Sequence, residues 1–302
     1  MGQLELVPAS QLDDVELARL FTAAYEGYLV PFAVDEDTMR SFTAAYDLDR
    51  DASRVAVRDG APIGLANLGL RGADAWIGGL GVVPGERRRG TGRALIRAVQ
   101  DEARARGVAQ VWLEVIAENT GARALYEDLG YNLVRDLVVW SLVGGADGAA
   151  PEVPAAEAHA WIRAHRSGRE PWQRDDASLA RIDKPRGLAV DGAAAVVRVT
   201  GARVNVVQVA GGEDALEVLL AGARTLGDRL GVLNLPAGDA PSVILMAGAR
   251  TPDEQILYPV SELASRYGAS ADEETPDPKQ AYAPFERPER GRPAYWDALP
   301  WA

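Results

Sequence analysis

The residues with the clearest chemical consequence run from Arg87 to Arg93. Three arginines are followed by Gly90, Thr91 and Gly92, and a fourth arginine opens a helical stretch that reaches Arg106. An apolar run, Ala75 to Val83, reads as a strand and ends at Pro84-Gly85 just before them. Strand, glycine-bearing turn and helix start together aim main-chain N–H groups and a helix N-terminus at one point, an arrangement suited to phosphate. Gly90 and Gly92 permit left-handed backbone and close approach of a ligand. The chain carries a net charge of −12, so the arginines at this turn stand against the overall balance. Gly-Lys-Ser/Thr does not follow, which excludes a P-loop, and Gly90-x-Gly92 lacks the third glycine of the dinucleotide fingerprint.

A second group lies downstream. Glu114 sits in the apolar run Val111 to Ile116, and Asn119, Ala122, Leu125, Tyr126, Gly130 and Tyr131 follow at fixed intervals. Asn119 can cap a helix whose apolar side is Ala122, Leu125 and Leu129. Gly130 would end that helix in a left-handed cap, with Tyr131 starting a strand. Tyr126 offers a phenol with an ordinary pKa near 10, able to serve as a proton donor.

Arg-x-x-Gly-x-Gly after a Val-Val-Pro strand end resembles the acetyl-CoA pyrophosphate loop of the GNAT superfamily of N-acetyltransferases. Asn119-x-x-Ala122-x-x-Leu125-Tyr126-x-x-x-Gly130-Tyr131 resembles the other signature of that family, and Glu114 lies where it often has Leu-Glu-Val. The resemblance implies an α/β (α+β) fold with a mixed, mostly antiparallel central sheet flanked by helices. It implies acetyl-CoA, or another acyl-CoA, as co-substrate and no metal. Cofactor binding would fall to Val82, Val83, Arg87, Arg88, Arg89, Gly90, Thr91, Gly92, Arg93 and Asn119. Val82 and Val83 would pair their main chain with the pantetheine arm, and Tyr126 would protonate the leaving thiolate. Relatives often carry a basic glutamate on the strand before the loop, where this chain has Gly78-Gly79. Glu114, Glu118 and ordered water remain as bases, and water assisted by Glu114 is the expectation. The acceptor pocket is expected in the segment between the first two helices and the strand opposite, from Tyr25, Glu26, Tyr28, Phe32 and Trp76.

Composition narrows the field. With 302 residues the chain is long enough for two domains of ordinary size, and its apolar and charged fractions are those of a soluble globular protein. No apolar run approaches the roughly 20 residues of a membrane span, and the N-terminus shows no signal-peptide pattern, so a cytoplasmic location is expected. Zero cysteines exclude disulfides, thiolate metal sites and a cysteine acyl-enzyme, so direct attack in a ternary complex is expected. The two histidines, His159 and His165, fall outside both motifs and read as surface helix residues. Both halves are acidic, which makes nucleic acid a poor partner. A small-molecule amine or a protein N-terminus is the expected acceptor, and the chain is expected to be a monomer or homodimer.

These residues need a scaffold, and the sequence outlines one. Leu4–Val7 reads as a strand, Leu12–Tyr25 and Asp35–Tyr46 as helices, and 54–58 with 63–70 as a hairpin around Asp59-Gly60. Strand, helix, strand, helix and strand follow, ending with Leu133–Val143. A Gly/Ala/Pro linker spans Gly144 to Pro154, giving expected units of 1–146, 147–270 and a Pro-rich aromatic tail, 271–302, whose Tyr295–Trp301 stretch is expected to pack on the domains. The second unit repeats the first: Ala202–Glu213 parallels Ala75–Glu86, Leu233-Asn234-Leu235 parallels Leu113-Glu114-Val115, and Leu245-Met246 parallels Leu125-Tyr126. The phosphate loop is shortened by seven residues and methionine replaces tyrosine, so a degenerate second copy is expected. Acetyl transfer from acetyl-CoA to a primary amine is the reading that follows; the alternative is a non-catalytic acyl-CoA-binding or sensing module.

Overall fold

The computed structural model describes residues 2–28, 33–166, 168–236 and 243–248. The expected tail, 271–302, and the pocket residue Phe32 lie outside the described residues.

The first half begins with β1 (Leu4–Pro8), α1 (Asp14–Ala24), α2 (Glu36–Ala45), β2 (Arg54–Arg58), β3 (Ala61–Arg71) and β4 (Asp74–Val82). It continues with α3 (Thr91–Ala105), β5 (Gln110–Ile116), α4 (Thr120–Asp128) and β6 (Tyr131–Val143). Local chemistry sets the helix starts. Asp13 and Glu16 exchange main-chain N–H bonds in a capping box at α1, and the Thr38 N–H donates to the Asp35 carboxylate at α2. The i, i+4, i+8 face of α3, Leu95, Val99 and Ala103, packs with Ile96 on Ala66, Leu68, Ala75, Ile77, Leu113 and Val115. On the opposite face α1 buries Leu17, Leu20 and Phe21 against Val55 and Leu65.

The second half contains β7 (Glu152–Val153), α5 (Ala155–His165), the short α6 (Asp176–Leu179), β8 (Arg186–Val190), β9 (Ala193–Thr200), β10 (Arg203–Gly211), α7 (Glu213–Ala223), β11 (Arg229–Pro236) and β12 (Val243–Gly248). Among the described residues the twelve strands form one sheet in the order β1-β2-β3-β4-β5-β12-β6-β11-β10-β9-β8-β7. Read from either end, that order is the same with the halves exchanged: β1 matches β7, β4 matches β10, β5 matches β11, and β12 matches β6. Each half has given its sixth strand to the centre. There β12 pairs with β5 and with β6, and β6 pairs in turn with β11.

Two further details repeat. β4 runs parallel to β5, and β10 parallel to β11. Each of the two strands carries one extra residue against its antiparallel neighbour, Gly78 against β3 and Val207 against β9. These bulges align Val207 with Gly78, two residues from the register that pairs Glu213 with Glu86; the sequence likeness had no means of seeing the bulge. The loop shortening holds at full size. Residues 83–90 join β4 to α3, whereas Gly212 alone joins β10 to α7. Leu245-Met246 is a correction: both residues lie on β12, not on a counterpart of α4. Only residues 237–242 separate β11 from β12, too few for a nine-residue helix.

The exchange has a direct consequence for truncation. A chain ending at residue 146 would leave β5 and β6 without the strand that lies between them. It is expected to show no cooperative thermal unfolding by circular dichroism, whereas the full chain unfolds in a defined transition.

Candidate active site

Beyond Trp76 the sheet opens. β4 and β5 pair only at Asp74–Gln110, Ala75–Val111 and Trp76–Trp112, after which the bulge at Gly78 turns β4 away. From Ile77 onward the main chain of β4 faces β5 with no strand partner on that side among the described residues. The opening is bordered by the loop 83–90, by the start of α4 and by the end of α1.

The loop is built to leave donors available. Gly90 takes φ 85° as the residue before α3, and Arg88 also adopts left-handed backbone at φ 60°. A non-glycine residue held there costs of the order of 1–3 kcal/mol, a strain that tends to be retained where it serves a site. Helices α1, α2 and α4 each begin with a side-chain cap, from Asp13, Asp35 and Asn119. Helix α3 has none, and its first internal bond runs from Ala94 to the Gly90 carbonyl. The N–H groups of Thr91, Gly92 and Arg93 are therefore free of the helix ladder, at the positive end of its dipole. Thr91 is buried, and its hydroxyl has no partner among the described residues.

The arginines divide in role. Arg88 and Arg89 are exposed at the loop, Arg89 also reaching Glu86 at 3.2 Å. Arg93 pairs with Asp128 across to α4. Arg87, also in the expected binding set, has its guanidinium engaged within the protein. Its guanidinium donates to the carbonyls of Val82 (2.8 Å), Ala24 (3.0 Å) and Glu26 (2.6 Å), so it ties the loop to the end of α1. Val83 is engaged through its main chain. Its N–H donates to Ile63 and its carbonyl accepts from Glu86; with the Val82 carbonyl taken by Arg87, the stretch of β4 without a strand partner toward β5 among the described residues is Ile77–Gly81.

At the mouth of the opening three tyrosines gather. Tyr126, on α4, is buried and packs edge-on against Tyr131 with ring centroids 5.8 Å apart. Burial, then the neighbouring Tyr28 and Tyr131 hydroxyls, push its pKa well above the ordinary value, so the phenol keeps its proton. Tyr28 hydrogen-bonds Asn119, the residue that also caps α4 by accepting from the Ala122 N–H at 3.2 Å. Tyr25 stacks on Phe21 at 4.5 Å, and its hydroxyl meets the main chain at Leu80. Gly81 allows this approach, since a Cβ there would lie 2.8 Å from Ala24 and 3.2 Å from the Tyr25 ring. Glu26 is exposed, and its carbonyl accepts from Arg87.

Glu114 lies on β5, on the face shared with Trp76. Its Oε2 accepts from the Trp76 indole N–H at 2.7 Å and from the Gln173 amide at 3.1 Å. Burial raises the carboxyl to a pKa of about 7 against these bonds, which favour the charged form. The Oε1 atom is buried with no hydrogen-bond partner among the described residues. Glu118 is exposed on the turn after β5.

Gln173 was not visible in the sequence as a site residue. It belongs to a single 3-10 turn, Trp172–Arg174, contributed by the second half. Trp172 stacks on Trp76 at 6.0 Å and donates its indole N–H to the Tyr46 carbonyl at 2.9 Å. Asn67 on β3 was missed as well: it is buried, and its amide nitrogen has no partner among the described residues. No periodic or motif signal marks either residue.

Comparison with known proteins fits this geometry. The family model described as acetyltransferase (GNAT) family matches residues 16–131, which run from α1 to the first residue of β6. That segment belongs to the GNAT family. Over 59 residues the chain is 49% identical to the [ribosomal protein bS18]-alanine N-acetyltransferase of Escherichia coli (strain K12), covering 20% of this chain and 40% of that protein. A stretch of 79 residues is 48% identical to the mycothiol acetyltransferase of Beutenbergia cavernae, covering 25% of this chain and 27% of the relative. The chain thus spans less than half the length of these curated relatives. A GCN5-related N-acetyltransferase structure from Sphaerobacter thermophilus superposes with a TM-score of 0.60 at 16% identity, over 81% of this chain and 95% of that one. At that identity the likeness is one of fold, and it extends the GNAT fold over both halves. Among the described residues no helix is long and apolar enough to cross a membrane, and no cluster of side chains could hold a metal ion.

Proposed function

We propose that this chain transfers the acetyl group of acetyl-CoA to a primary amine by direct attack, at a single site in its first half. The observation that carries the reading is the parting of β4 from β5, with an uncapped helix N-terminus at one end, a proton-holding phenol at the mouth and a carboxylate of near-neutral pKa inside.

Pyrophosphate would sit on the N–H groups of Thr91, Gly92 and Arg93, with Arg88 and Arg89 adding charge. Hydrogen bonds to an anion of this kind contribute about 1.5–3 kcal/mol each. The pantetheine arm would lie along the main chain of Ile77–Gly81, which has no strand partner toward β5 among the described residues. In the transfer, the amine nitrogen forms a bond to the acetyl carbon while the carbon–sulfur bond breaks. The amine gives up its proton to Glu114, directly or through one water, and Tyr126 gives its proton to the departing sulfur. Both residues reset by exchange with solvent, so the products are the amide and the free thiol. Acceptors of the kind named in its relatives, a protein N-terminal alanine or a small amine, are the first to test.

The test is direct because the chain has no cysteine. Released thiol can be followed with a thiol-reactive dye without background from the protein, across a panel of peptide N-termini and small amines. Amine-dependent release supports the reading; acetyl-CoA binding without release on any amine would favour the sensing module instead. The loop adds a second expectation. Arg89→Glu combined with Gly90→Asp places two negative charges where the pyrophosphate would lie and puts a Cβ on left-handed backbone. It is expected to weaken acetyl-CoA binding by at least about 100-fold in calorimetry.

A further inference from the structure

The second half reaches the first half's site at one point. The turn Trp172–Arg174 is fastened on both sides of Gln173. Trp172 lies between Trp76 and the Arg71 guanidinium, which stands 4.2 Å over its ring. Arg71 also donates to the Trp172 carbonyl (3.1 Å), to Asp175 (2.7 Å) and to Ser178 (3.0 Å). Within the second half Arg174 forms a buried pair with Glu170 at 2.9 Å, which braces the turn from its own side. Gln173 is itself buried, held in a turn that has little freedom to move.

From that turn the Gln173 amide donates to Oε2 of Glu114, the oxygen that also takes the Trp76 N–H. Two donors on one oxygen fix the carboxylate plane and leave Oε1 as the atom able to accept a proton. We propose that Gln173 is a positioning residue for acetyl transfer: the second half, without a site of its own, holds the base of the first half in register. The inference rests on Glu114 being that base. It gives the duplicated half a place in the reaction that a structural cap would not have.

The other charged and titratable groups around Glu114 come from β6, the second half, β4 and the end of α2. Arg135 on β6 acts on it as an opposite charge, and Arg169, Glu170 and Arg174 from the second half act on Arg135 in turn. From β4, Asp74 is paired with Arg169 at 2.8 Å, and from the end of α2 Tyr46 packs on Trp76. None of these changes when Gln173 alone is replaced.

The test uses the full chain with 13C-labelled glutamate. The Glu114 carboxyl resonance is assigned by its loss in Glu114→Gln, and its titration is then compared between wild type and Gln173→Leu. Leucine is similar in size but has no donor. The midpoint is expected to rise by about one pH unit, because a donor to the ionised form is lost. The acid limb of kcat/KM on an accepted amine should rise with it, and kcat should fall more than KM changes. Acetyl-CoA affinity, measured by calorimetry, should stay at the wild-type value and so report an intact first half. An unshifted titration in an active chain overturns the positioning role. A shifted titration in a chain that transfers no acetyl group overturns the catalytic role of Glu114 and leaves only the contact.

Discussion

Tyr126→Phe is expected to lower kcat by roughly 10²–10⁴-fold while acetyl-CoA affinity stays close to wild type. The ring is buried against Tyr131 and the α4 side of the core, so phenylalanine fills the same space. What disappears is the O–H proposed to protonate the departing sulfur, while the Tyr25 and Tyr28 hydroxyls stay in place. Burial and the neighbouring tyrosines hold that phenol well above its ordinary pKa, so it enters each turnover protonated. Steady-state kinetics with calorimetry on the same variant separates the two effects. An unchanged kcat would remove Tyr126 from the chemistry and return it to the core.

Glu114→Gln is expected to move activity and stability in opposite directions. With a carboxyl pKa of about 7, wild-type kcat/KM should climb as pH rises through that value, because only the ionised form accepts a proton. The variant should lose that limb and at least about 100-fold of its rate at pH 8. Stability follows the opposite sign. The folded carboxyl holds its proton up to about pH 7, whereas in the unfolded chain it releases it near the ordinary 4.5. The folded state therefore binds more protons across this window, and its stability falls as pH rises through it. Above pH 7 the buried charge costs about 2–4 kcal/mol, which glutamine avoids. A higher Tm for Glu114→Gln at pH 8, with little difference at pH 4, would agree. A lower Tm at pH 8 would mean the carboxylate is held by more than the two donors seen.

The parts of the site that were legible in the sequence are those set by local chemistry. Gly90 needs left-handed backbone, Asn119 caps α4, and Gly130 ends it, at φ 87°. Each of these acts on its immediate neighbours, so type and spacing carry the signal. The loss of seven residues between β10 and α7 was readable for the same reason. The rest depends on contacts between distant segments. Val83 and Arg87 fit the motif, but folding of the loop engages their polar groups. Nothing near Leu245-Met246 shows that it joins β5 and β6, because strand exchange is fixed by pairing across more than a hundred residues. Gln173 is legible only once Trp172 is seen stacked on Trp76.

The most direct test of a single live site is a calorimetric titration of acetyl-CoA into the full chain, read for stoichiometry. One site per chain is expected, since only the first half keeps the eight-residue connection before its helix; α7 is uncapped as α3 is, but Gly212 alone joins it to β10. Two sites would show that the one-residue connection at Gly212 also holds the cofactor. No binding would contradict acetyl transfer at the β4–β5 opening altogether.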